Sequence, residues 1–385
     1  MLRNTPRMAT EESKRPIYLD YSATTPVDPE VMEVVRFYMM EEFGNAGSRT
    51  HEYGARAKKA VENAREVLAA ELGVRTGDAI FTSGATEANN LAILGLEAEG
   101  RRTGRMHLIS SQIEHKAVLE PLAEMERRGF EVTLLRPERN GVVHAAALKE
   151  ALRPDTLLVS LMHVNNEIGT IQDIAGYSDA LADHPAFFHM DAAQSFAKMP
   201  VNFARVDIVS ASGHKIGAPK GVGILGMRRR KWALPPVKPL MFGGGQEFGL
   251  RPGTLAVPLI AGMAEATRRT KAVAPTCNSA TVALRDALLS IARNAGFEPL
   301  TDPHVTAPWV IPLKSMTDDS EAVLLRLKHI IAASNGAACT SSAYTKSHVL
   351  HALDPSLPGF LRLSIYAPLA SRELTRVDSI SLRGR

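Results

Sequence analysis

The chain has 385 residues, with 45% hydrophobic and 22% charged side chains, a formal net charge of +4 and a pI near 9.0. That length exceeds what one hydrophobic core serves, so a large domain with a smaller companion is expected, while so mild a basic balance argues against direct nucleic-acid binding. No apolar run is long enough to cross a bilayer, and the two cysteines, Cys277 and Cys339, lack Cys-x-x-Cys or Cys-x-x-His spacing, so no membrane span, metal site or disulfide framework is expected and a reducing, cytoplasmic setting fits.

The opening stretch Met1 to Arg15 is polar and reads as a frayed terminus. Ala57, Ala60, Val61, Ala64, Val67 and Leu68 recur at helical spacing and predict one apolar helix face. Strand-like apolar runs follow at Ile80 to Thr82, His107 to Ser110, Val132 to Leu135, Leu157 to Met162, Phe187 to Met190, Ile208 to Ser210 and Val222 to Gly226, separated by segments of helical period. This alternation predicts an α/β fold with a large, mostly parallel seven-stranded sheet over residues 28–265. A helix at Ala280 to Ala295 and a strand at Val310 to Leu313 open a smaller α/β domain. The basic run Arg228 to Lys231 reads as a solvated turn after a strand.

Several strand runs end in clusters of small or polar residues, the edge at which open α/β sheets hold ligands. Ser83-Gly84-Ala85-Thr86-Glu87 joins a strand to a helix through glycine; it suits a phosphate at a helix start and equally an ordinary capping box. His115 follows another strand and fits a ring contact, a proton shuttle or a structural role. Asn165 sits in a polar cluster that also has the composition of a simple turn. Asp191, ahead of Gln194, could sit beside a ring nitrogen or cap a helix. In Ser212-Gly213-His214-Lys215 the lysine is placed to form a Schiff base, with small neighbours that let a flat ring approach, although a lone loop lysine is ordinarily a surface residue. Cys339 lies in the small-residue run Ser334 to Ser341, suited to a nucleophilic thiol and also to a small core residue.

Taken together and in order, these segments resemble the cysteine desulfurases of the class V aminotransferase type, which use pyridoxal 5'-phosphate (PLP) on the transferase fold type I. The resemblance runs from Tyr18-Leu19-Asp20-Tyr21-Ser22-Ala23-Thr24-Thr25-Pro26 through the clusters above and Arg251-Pro252-Gly253-Thr254 to the cysteine loop. It implies that Lys215 carries the cofactor and moves the α-proton, that Asp191 pairs with the ring nitrogen, and that Gln194 meets the ring hydroxyl. His115 would stack on the ring and Ala85 would contact the cofactor; Thr86, Ser212 and His214 would hold the phosphate, with Thr254 reaching in from the second subunit of a homodimer. Asn165 would contact the cofactor and, with Arg362, grip L-cysteine, whose sulfur would pass to Cys339 as a persulfide, leaving L-alanine, and then to a protein acceptor.

The resemblance also implies a division into residues 28–265 and a small domain of 1–27 and 266–385 that carries the cysteine loop. Ala338-Cys339-Thr340-Ser341 matches the group with a longer, mobile cysteine loop, and Phe242-Gly243-Gly244-Gly245-Gln246 with Asn335 to Ala338 resembles the members that feed DNA phosphorothioation; iron–sulfur and tRNA pathways are the other destinations. Gly44-Asn45-Ala46-Gly47-Ser48 departs from the pattern by lacking the usual proline. A selenocysteine lyase or aminotransferase of the same fold would keep Lys215 and Asp191 without needing Cys339. A catalytically silent scaffold would need neither.

Overall fold

The computed structural model describes residues 15–201, 205–273, 279–315, 320–336 and 347–383. A short strand β1 (Ile17–Tyr18) precedes helices α1 (Pro29–Met40) and α2 (Glu52–Glu71). Asp28 caps α1 by accepting the Glu30 N–H, and Pro29 stands in its first turn, where the missing N–H leaves no bond unmade. On α2, Ala57, Ala60, Val61, Ala64 and Leu68 are buried and Val67 partly so, the face the spacing predicts.

Next come β2 (Ala79–Thr82), α3 (Ala85–Leu94), α4 (Glu97–Thr103), β3 (His107–Ser111), α5 (Lys116–Arg127), β4 (Glu131–Leu135) and α6 (Ala145–Ala151). They are followed by β5 (Thr156–Met162), α7 (Ile174–Ala180), β6 (Phe187–Asp191), β7 (Ile208–Ser212) and β8 (Gly223–Met227). These strands form one seven-stranded sheet in the order β2-β8-β7-β6-β5-β3-β4. Only β8 runs against its neighbours; every other pairing in the sheet is parallel. All seven predicted strands are present, each within two residues of its expected ends.

Alternation along the strands builds two cores at once. Phe81, Ile109, Val159, Val209 and Ile224 point into one apolar cluster, while Ile80, Leu108, Leu158, Ile208 and Leu225 point into the other. Consecutive residues thus face opposite sides, and a sheet covered on both faces has to be apolar throughout.

The chain continues through α8 (Val257–Val273), α9 (Ser279–Asn294), β9 (Phe297–Pro299), β10 (Val310–Ser315), α10 (Ser320–Leu327), β11 (Ile331–Ala332), α11 (His348–Leu353), β12 (Gly359–Ser364) and α12 (Ala370–Arg383). Residue 265 lies inside α8, whose buried Val257, Ile260, Met263 and Ala264 join the large-sheet core. A separate apolar cluster gathers Leu284, Leu288, Trp309, Ile311, Leu313, Leu361 and Leu363 around the antiparallel sheet β12-β10-β9. Ile17 and Leu19 belong to this second cluster, because β1 pairs with β11. No described helix is long and apolar enough to cross a membrane.

The basic run after β8 is half-buried to exposed, in keeping with a solvated turn, and its arginines are also tied down. Arg229 clasps Asp78, Arg230 pairs with Asp207, and Arg228 donates to the Gly73 carbonyl. Those partners come from elsewhere in the chain, so charge counting along the run could not reveal them.

The turn Glu247–Gly249 is strained: Glu247 and Phe248 take left-handed φ values of 47° and 58°. The left-handed region costs an L-residue about 1–2 kcal/mol. A buried ion pair holds it. The Glu247 carboxylate accepts from Arg65 Nη1 and Nη2 at 2.6 and 2.5 Å and from the Phe81 N–H at 2.7 Å, while Arg65 also donates to the Ala79 carbonyl. Removing one partner strands the other charge in the interior. Glu247→Ala is expected to destabilise the cofactor-free chain by about 3–5 kcal/mol, read as a lowered urea midpoint; an unchanged midpoint contradicts this.

Candidate active site

The carboxyl ends of β2, β3, β5, β6 and β7 converge on a cavity of about 540 Å³. Of the residues singled out from sequence, Ala85, Thr86, His115, Asp191, Gln194, Ser212, His214, Lys215 and Arg362 line it. They come from four strand ends and from β12 of the small sheet, so the cavity lies between the two cores.

One wall is the start of α3. Its N-cap, Gly84, makes no side-chain cap, which leaves first-turn N–H groups directed toward the cavity. Glu87 instead turns back to accept the Ser83 N–H at 2.7 Å and pairs with Arg251 at 2.8 Å. Close approach explains the neighbouring glycine: a Cβ on Gly223 would stand 2.5 Å from the Gly84 Cα. Ser212 and His214, from the end of β7, line the same cavity. His214 is neutral at neutral pH, its pKa lowered to about 4 by burial and then by Lys215, Lys220 and Lys198.

Lys215 donates to the carbonyls of Ser22 and Ala23 at 2.5 and 2.7 Å. The turn that carries it is fastened to the same N-terminal segment, since Thr25 donates to the His214 carbonyl and accepts the Gly217 N–H. Asp191 ends β6 and accepts from Asn89 Nδ2 at 2.7 Å and from the Ala193 N–H at 2.8 Å. His115 caps α5, with Nδ1 accepting the Ala117 N–H at 3.0 Å. Burial lowers its pKa, against the pull of Asp191, so the neutral ring carries its proton on Nε2. Beside it, burial raises the Glu114 carboxyl to about 8 although Ser111 and the Met162 N–H both donate to it. A neutral acid therefore lies behind the ring.

Arg362 is almost fully buried and reaches across from the small sheet. Its Nη1 donates to the Asn166 carbonyl at 2.8 Å and its Nη2 to Asp20 at 2.5 Å.

The expectation for Asn165 needs correcting. Its side chain is not in the cavity lining: Nδ2 donates to the Ile113 carbonyl, and Oδ1 accepts the N–H groups of Glu167 and Ile168. It builds the turn, and Asn166 faces the cavity. Thr254 is exposed and outside the lining. Cys339 and Cys277 lie outside the described residues. Sequence reading missed Ser22, Asn89, Asn166 and Lys220 as lining residues. Asn89 left a signal, a polar residue one turn beyond Thr86 on a largely apolar helix.

Whether PLP fits can be judged from what the cavity leaves unpaired. Ser22 Oγ, Asn89 Oδ1, Asn166 Oδ1 and Gln194 Oε1 are buried, line this cavity and have no protein partner. Buried polar atoms are nearly always hydrogen-bonded, so such a group awaits a polar ligand. Lys215, Lys220 and Arg362 supply positive charge against the single carboxylate of Asp191. An anionic ring compound with an acidic neighbour at one edge suits these residues.

Comparison with known proteins agrees. The family described as aminotransferase class-V matches residues 17–377. The cysteine desulfurase IscS of Shewanella sp. (strain MR-4) is 43% identical over 352 residues, 88% of this chain and 84% of the relative; that of Klebsiella pneumoniae (strain 342) is 44% identical over 345 residues, with the same coverage. Among solved structures, DndA from Streptomyces lividans is 48% identical with a TM-score of 0.78, over 90% of this chain and 99% of that one. SspA in complex with cysteine is 34% identical with a TM-score of 0.80, over 91% and 99%. A match along nearly the whole chain, with the shared segments gathered round one cavity, is a family relation, and the chain belongs to the class V aminotransferases and, within them, to the cysteine desulfurases.

Proposed function

We propose that this chain takes sulfur from L-cysteine onto Cys339 and releases L-alanine, with the cavity between the two cores as the reaction site. The observation that carries the reading is the convergence of Lys215, Asp191, His115 and Arg362 on one cavity in which Ser22, Asn89, Asn166 and Gln194 each keep a buried polar atom without a protein partner.

PLP, when bound, withdraws the electrons freed at the substrate α-carbon. Ala85, Thr86, Ser212 and His214 would hold its phosphate at the start of α3, Asp191 would keep the ring nitrogen protonated, and Gln194 and Asn166 would meet the ring substituents. His115 would lie on the ring face, held there by its bond to the Ala117 N–H. Lys215 would hold the cofactor through its amine and would move the proton at the substrate α-carbon. Arg362 turns its guanidinium to the substrate carboxylate, a charge-assisted pairing suited to its planar fork.

Sulfur transfer then needs a thiolate. Cys339 attacks the substrate sulfur: the new bond joins the two sulfurs, the carbon–sulfur bond breaks, and its electron pair stays with the substrate, which takes up a proton to become alanine. Chain position supports Cys339, which lies three residues beyond Gly336 in the sequence. Gly336 packs against Glu167, next in sequence to the cavity-lining Asn166.

The persulfide passes to a protein acceptor, and a homodimer completes the site. Thr254 is exposed and outside its own chain's cavity lining, while Leu240, Met241, Phe242 and Phe248 stand exposed on the segment leading to it. A second copy covering that surface would place Thr254 at the other cavity.

Cys339→Ser is expected to abolish persulfide formation from L-cysteine while the cofactor's visible absorption on Lys215 persists; continued sulfur transfer overturns the reading. Arg362→Lys loses the fork that a carboxylate needs, so KM for L-cysteine is expected to rise roughly tenfold to a hundredfold in steady-state alanine assays. An unchanged KM would remove Arg362 from substrate binding.

A further inference from the structure

The turn that follows β5 has a second use. Glu167 is buried, and its Oε2 accepts the Ser347 hydroxyl at 2.5 Å. Ser347 in turn caps α11, its Oγ accepting the N–H groups of Val349 and Leu350. Against the same oxygen lies Gly336, at a φ of 79°, where a Cβ would stand only 2.8 Å away. Gly336 and Ser347 bracket residues 337–346, which include Cys339. The preceding Ser334 exchanges backbone hydrogen bonds with Arg362, and Arg362 donates to the Asn166 carbonyl.

We propose that Glu167 is a positioning residue for sulfur transfer: its carboxyl holds Ser347 by a hydrogen bond and packs against Gly336, the residues on either side of the Cys339 segment, at the turn that presents Asn166 and braces Arg362. The inference rests on the reading that Cys339 accepts the sulfur, and it concerns that step alone. The turn keeps its shape through Asn165, which holds the Glu167 and Ile168 N–H groups whatever the Glu167 side chain is. Substrate grip should therefore survive loss of the carboxyl. Burial raises the Glu167 carboxyl to about 7, against the Ser347 hydrogen bond, Arg362 and Lys116, so glutamine is a fair imitation of its neutral form.

The test uses the holoenzyme. Single-turnover persulfide formation on Cys339 is read by mass spectrometry, and L-cysteine binding is read from the cofactor spectrum in a Cys339→Ser background. Glu167→Ala and Ser347→Ala should each slow persulfide formation about tenfold or more, since small misplacement of a reacting group is costly. L-cysteine affinity should hold within about twofold, Glu167→Gln should restore most of the rate, and the double variant should be no slower than the worse single one, as residues sharing one contact are not additive. In cofactor-free protein, iodoacetamide should label Cys339 at an altered rate in both single variants.

Unchanged persulfide formation in Glu167→Ala and Ser347→Ala overturns the proposal. So does a parallel loss of L-cysteine binding, which would mark an ordinary structural residue, and so do additive effects. If Cys339→Ser itself still transfers sulfur, the reading of the site fails; if it does not, and the Glu167 variants behave as the parent, only this inference fails.

Discussion

The site depends on how the segment from Ile17 to Asp28 is pinned at both ends. Its first residues pair with β11 in a two-stranded sheet, and Ile17 and Leu19 are buried in the core of the smaller domain. Its last residues hold the lysine turn, through Thr25 on His214 and Gly217 and through the carbonyls of Ser22 and Ala23 on Lys215. Between them Asp20 takes the Arg362 guanidinium. One stretch of backbone thus fixes the distance between the amine and the arginine, groups supplied by different cores.

Electrostatics then separates residues of similar type. Glu114 and Asp191 lie close enough to interact, and the conflict is resolved by environment. Asp191 faces the cavity with two N–H donors on its oxygens, whereas fully enclosed Glu114 keeps one oxygen without a partner and is driven toward its neutral form. The imidazoles follow the same rule: burial keeps His115 and His214 neutral, so the positive charge of the cavity stays on Lys215, Lys220 and Arg362.

Much of this was legible in the sequence because the sheet is buried on both faces, so its strands read as apolar runs, and because ligand groups cluster where those runs end. What stayed illegible was decided by direction or by distant partners. Two adjacent asparagines share one turn composition, and only the backbone says that Asn165 folds inward while Asn166 looks out. The ion pairs of the arginines after β8 were hidden because Asp78 and Asp207 are remote in sequence. Ser22 was in view as part of a motif, but a motif does not say which atom ends without a partner.

The uneven use of hydrogen bonds carries one more consequence. A fold could satisfy Asn89, Asn166, Gln194 and Ser22 with neighbours, as it satisfies His189 between Ser160 and Ser210 in the same sheet. Leaving four acceptors bare at one edge lowers the stability of the empty protein, because each buried unpaired group costs about 1–3 kcal/mol. A ligand that meets these atoms in the folded protein recovers that deficit. Cofactor binding and folding are therefore coupled through these atoms.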